Sequence, residues 1–256
     1  MSKIISAQEL QSLNDFATFQ VDDGYYEDGV EGFTHLIHQL SLVIMMPSPL
    51  QEEEQEQEED DDSGIMAAVD STHVPGTLGR DASEGERDIT QFYGHPFQFE
   101  YPEELIHQGE DVPARLSAFQ QAATSTILQF NLALCYHLFW DEHQERTDVL
   151  LKALGLYNEA VSNISLLYSR GEIETSSSSR APPPSLQGPV LKVLLAICVN
   201  ATHCHAQMNQ IRAMGYWENL SRQLLAFCDP TIHQSKEFRT LRGLFDRPVP
   251  AFAAAA

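Results

Sequence analysis

The sequence predicts an all-α chain of about three helical hairpin repeats with a long acidic disordered insertion, and three observations carry that prediction. A small residue followed four positions later by an aromatic and seven later by an apolar residue recurs at Gly29, Phe33 and Leu36, at Ala153, Tyr157 and Ala160, and at Ala213, Trp217 and Leu220. That spacing lays one buried stripe on a helix and leaves a notch for a close neighbour. Each stripe is preceded by an apolar segment suited to a partner helix: Leu13, Phe16 and Ala17, then residues 131–136, then residues 200–205. Between the first and second stripes, residues 51–62 hold nine acids in twelve positions, which no core can accept.

The elements follow in chain order. Residues 1–46 read as the first helix pair. Residues 47–91 read as an acidic low-complexity linker, self-repelling and solvated, bounded by Pro47 and Pro49 on one side. Residues 92–115 read as an extended aromatic segment. Phe92, Tyr93, Phe97, Phe99 and Tyr101 place five aromatics in ten positions, while Pro96 and Pro102 oppose a helix. Phe97, Phe99 and Tyr101 alternate at strand period, so this segment is expected to pack on the chain's own helices, with a partner surface as the second choice. Residues 116–246 read as a helical domain with a mobile Ser- and Pro-rich linker over 171–188, a turn over 143–149, and a last pair over 191–207 and 213–227. Phe238, Leu241 and Phe245 on one face suggest a capping helix over 232–245, and residues 247–256 a tail.

Residues 24–33, Gly-Tyr-Tyr-Glu-Asp-Gly-Val-Glu-Gly-Phe, and residues 131–136, Asn-Leu-Ala-Leu-Cys-Tyr, resemble the tetratricopeptide repeat, the first at its turn and second-helix start and the second at its first helix. The family period is about 34 residues. Here the stripes start 124 and then 60 positions apart, 153 minus 29 and 213 minus 153, so the resemblance is to a degenerate form with insertions. It implies a groove lined by the first helices, where Asn131 and Asn200 would face an extended peptide backbone or a terminal carboxylate, with Lys192 beside them. The alternative is that each Asn bonds within its own bundle. Lys192 alone does not complete the cluster of cations with which the family grips a carboxylate, so binding of chaperone tails is not expected.

Charge narrows the partners. The chain of 256 residues carries a formal net charge of −22. Residues 1–115 hold 26 acids against 4 Lys and Arg, and residues 116–256 hold 11 against 11, so the whole imbalance belongs to the first part. Nucleic acid as a direct ligand and anionic membrane surfaces are both disfavoured, because each needs clustered cations. No apolar run reaches the roughly 20 residues of a bilayer span. Residues 1–9 carry no signal-peptide pattern, and the expected location is intracellular, cytoplasmic or nuclear. Cys135, Cys198, Cys204 and Cys228 lie in helical apolar patterns and read as reduced core residues.

Motifs for chemistry are weak. His203, Cys204 and His205 are adjacent on one helix and point about 100° apart, so helix packing outweighs a metal site. His35 and His38 share a face at spacing three and read as half-buried polar surface. The chain has no nucleophile-elbow, zinc-helix, phosphate-loop or dinucleotide pattern. Ser63 and Ser83 adjoin acids and are possible phosphorylation sites. The expected function is non-catalytic binding of a protein or peptide in a helical-repeat groove, as a scaffold and with no cofactor. The alternatives are an enzyme whose site no motif marks and a structural subunit of a larger assembly. Oligomeric state is left open.

Overall fold

A computed structural model of the protein describes residues 5–45, 92–101, 116–169 and 189–226. Among these residues there are six α-helices and no β-strand: α1 (Ala7–Asp22), α2 (Tyr26–Met45), α3 (Ala118–Glu142), α4 (Thr147–Ser169), α5 (Pro189–Gln207) and α6 (Ile211–Ala226). The acidic linker, the Ser- and Pro-rich linker, the suggested capping helix and the tail lie outside the described residues.

Local chemistry fixes the helix ends. Ser6 accepts the Glu9 N–H at 3.2 Å while the Glu9 carboxylate accepts the Ser6 N–H at 3.1 Å, and Ser117 and Gln120 repeat this reciprocal capping at the start of α3. The α1–α2 turn passes through Gly24 at φ 87°, and the α5–α6 turn through Asn209 at φ 56°. Both residue types tolerate the left-handed region at low cost.

Packing joins consecutive helices. α1 packs on α2, α3 on α4 and α5 on α6; α2 also packs on α3, α4 on α5, and α3 touches both α1 and α5. The small residues of the first two stripes mark close approaches. A Cβ on Gly29 would lie 2.6 Å from Val21 Cγ2 and 3.1 Å from Cys135 Sγ, so α2 meets α1 and α3 there with no room for a side chain. Ala153, Tyr157 and Ala160 are fully buried, and Thr126 of α3 donates a 3.3 Å hydrogen bond to the Ala160 carbonyl. Trp217 is buried between half-buried Ala213 and Leu220.

Some expectations need correction. Leu13 and Phe16 are exposed; the buried face of α1 is instead Leu10, Asn14, Ala17, Thr18 and Val21, so two polar side chains take positions that an apolar count overlooks. The turn between α3 and α4 ends at Arg146, because Thr147 and Asp148 already begin α4. The last two helices start at Pro189 and Ile211, two residues earlier than their expected starts, Pro189 being suited to a first helical position. His35 and His38 are exposed rather than half-buried.

Candidate functional site

Residues 92–101 form a non-helical strap that bonds in turn to α5, α3 and α1. Pro96 lacks an N–H and resists helix, which leaves the neighbouring backbone polar groups to find partners outside the strap. The helices supply them as side-chain amides. Asn200 of α5 accepts the Tyr93 N–H at 2.8 Å and donates to the Tyr93 carbonyl at 3.0 Å. Asn131 of α3 does the same for Phe97, at 2.8 and 2.7 Å. Asn14 of α1 donates to the Phe97 carbonyl at 3.4 Å and accepts from Asn131 at the same distance. Gln11 accepts the Tyr101 N–H at 3.2 Å, and the Tyr101 hydroxyl pairs with Thr124 at 3.0 Å. The strap therefore runs from α5 over α3 to α1, met by a side-chain amide about every four residues.

The side chains between these amides are apolar and enclosed. Tyr93, Phe97, Phe99 and Tyr101 are buried, Phe99 completely. Tyr93 stacks on Phe97 with centroids 5.2 Å apart, and Phe97 meets Phe130 of α3 edge-on at the same distance. Gly94 has open space where a Cβ would sit, Gln98 is half-buried and Glu100 is exposed. Near Glu100, Asp15 of α1 has its carboxyl pushed above the usual range by burial and then by the Glu100 charge.

A second network anchors the start of the strap. Phe92 stacks on His137 with centroids 4.0 Å apart, and His137 Nε2 lies 2.8 Å from His203 Nδ1. His137 Nδ1 reaches the Tyr157 hydroxyl at 3.3 Å, and Asn200 donates to that hydroxyl at 3.0 Å. Burial, and then His203, hold His137 well below the ordinary imidazole range. It is neutral at neutral pH. Burial pushes the thiols of Cys135, Cys198 and Cys204 up, which keeps them protonated and poor nucleophiles. Among the described residues no group of three or more His, Cys, Asp and Glu converges to hold a metal ion, and no helix is long and apolar enough to cross a membrane.

The structure thus brings Asn131 and Asn200 onto one continuous non-helical segment of backbone, which is the chain's own. Lys192 lies half-buried on α5, about two turns before Asn200. Ser63 and Ser83 lie outside the described residues. Sequence reasoning missed Gln11, Asn14, His137 and the pairing of His137 with His203. For Asn14 a signal exists, since it shares a helical face with Leu10, Ala17 and Val21, where a polar residue needs a partner. No protein-family model, curated protein or solved structure matches this chain.

Proposed function

We propose that the protein is a non-catalytic scaffold made of about three tetratricopeptide-like helix pairs, interrupted by an acidic insertion, whose groove along α1, α3 and α5 binds protein in extended form. The observation that carries this reading is the amide ladder. Asn131 and Asn200 each satisfy both backbone polar groups of one residue, which recognises an extended chain irrespective of its side chains. In the resting protein that chain is the strap, so access by a partner requires the strap to move.

The test is proximity labelling at the groove. A photo-crosslinking residue at Asp15, half-buried on α1 near Glu100 of the strap, should capture defined peptides from a cell extract only in a variant that loosens the strap and keeps the groove amides, Phe97→Ala with Phe99→Ala. Equal capture in wild type and variant would defeat the groove assignment. A second reading, a structural subunit of a larger assembly, draws support from α1, where Phe16 and Phe19 are 60% and 61% exposed on an end helix.

A further inference from the structure

The strap shows which side chains the groove tolerates as well as how it holds a backbone. Tyr93, Phe97 and Tyr101 recur at intervals of four, and each gives its N–H to an amide oxygen on a different helix, α5, α3 and α1 in turn. Four residues of extended chain span at most about 13 Å, so a shift by one residue would remove all three aromatics from their amides together. The rings fill space that is otherwise closed. Phe97 fits against Phe130, Phe99 is fully enclosed, and the Tyr101 hydroxyl finds Thr124. The positions between them are permissive: a Cβ at Gly94 meets nothing within 4 Å, and Glu100 is exposed.

We infer that the groove is selective for an extended peptide of one aromatic register: an aromatic, three residues, an aromatic, one residue, an aromatic, one residue and a final aromatic. This rests on the groove reading proposed above and names its ligand class. The amides supply affinity for any extended backbone; the rings set the register. The strap is the resident competitor. Tethered in the same chain, it acts at an effective concentration in the millimolar range, so a free peptide of the same register is largely shut out of the wild-type groove.

The experiment uses the full-length protein and a fluorescein-labelled peptide with the sequence of residues 92–101 as probe, read by fluorescence anisotropy. Two receptors with a weakened competitor are compared with wild type: Phe97→Ala with Phe99→Ala, and a chain in which residues 92–101 are replaced by Gly and Ser. Both should bind the probe at least about tenfold more tightly than wild type does. Replacing the residues of the probe that correspond to Tyr93, Phe97, Phe99 and Tyr101 by Ala should weaken binding to these receptors by at least about tenfold, since buried aromatic anchors dominate such contacts. Ala at the positions of Gly94, Gln98 and Glu100 should leave binding unchanged.

Equal binding of the aromatic and Ala probes would overturn the register while leaving the groove reading intact. Binding of neither probe to receptors that retain helical circular dichroism would overturn both. If a receptor lacks helicity on its own, the aromatic probe should restore it and the Ala probe should not; failure of the aromatic probe to do so also overturns the inference.

Discussion

Asn131 illustrates how one side chain can be worth more than its hydrogen bonds suggest. Its amide satisfies the N–H and the carbonyl of Phe97 and touches Asn14, all in a buried setting. Net gains from such bonds are only about 1 kcal/mol each, but each buried partner left unpaired costs about 1–3 kcal/mol. Asn131→Ala is therefore expected to destabilise the protein by about 2–4 kcal/mol in urea unfolding. The Phe97 amide should also exchange with solvent faster. Retention of wild-type exchange at that amide would show that the strap holds without its amide ladder.

His137 makes a pH-dependent prediction at the same scale. Only one proton fits between His137 Nε2 and His203 Nδ1, so a second charge there has no acceptor. The unfolded imidazole takes up a proton near pH 6.5, whereas native His137 resists it because of burial and the neighbouring His203. Below that pH the unfolded state binds more protons than the native state, so stability falls with falling pH and is flat above about pH 7.5. His203 on α5 and Tyr157 on α4 are the titratable groups bonded to it, with Cys204 Sγ 3.9 Å away. His137→Gln should show a smaller loss of urea midpoint between pH 7 and pH 5 than wild type, comparison within one chain removing the carboxylates common to both. An equal loss in the two proteins would place the acid sensitivity elsewhere.

At the scale of elements, the all-helical class was legible in the sequence, and so was a contact where a small residue coincided with a real close approach. Gly29 sits at a contact that admits no side chain without a shift, and Ala153 is fully buried. Ala153→Leu should overpack the α3–α4 contact and cost about 1–3 kcal/mol, measured as a lower urea midpoint. An unchanged midpoint would mean that α4 can slide away from α3. The face of α1 was not legible, because its exposed face carries Leu13, Phe16 and Phe19 while Asn14 and Thr18 are buried. Hydrophobic periodicity assumes that burial follows apolarity. On α1 that assumption fails, since Asn14 is buried to serve the strap.

The strap itself shows the same division. Its five aromatics and two prolines signalled an extended segment that packs, and the described part does so. That it packs on the chain's own helices was expected; which residues receive it was not readable, because Tyr93 and Asn200 are 107 residues apart and no local pattern links them. The residue type at Asn131 and Asn200 gave a donor and an acceptor on each helix; only the fold shows that one continuous backbone meets both.

For the whole molecule, the strap changes how the helix pairs share stability. Helices that pack mainly on their neighbours in sequence order, as here apart from the smaller contacts of α3 with α1 and α5, unfold approximately as a row of coupled units, and the ends of such a row can separate from the middle. The strap adds a direct connection between α1 and α5, through Gln11 at one end and Asn200 at the other, with α3 held between them by Asn131. Wild type is accordingly expected to unfold in one transition, with tryptophan fluorescence, from Trp140 on α3 and Trp217 on α6, coinciding with far-ultraviolet circular dichroism from all helices. Phe97→Ala with Phe99→Ala removes two buried rings, each Phe→Ala change costing about 3–5 kcal/mol when the site does not collapse. The pair weakens the connection while leaving every helix sequence unaltered. The two probes should then separate, and the dependence of stability on urea concentration should become shallower as two-state behaviour is lost. Coincident transitions with an unchanged slope in the double variant would show that the helix pairs cooperate through their own contacts, and the strap would then be a passenger in the groove.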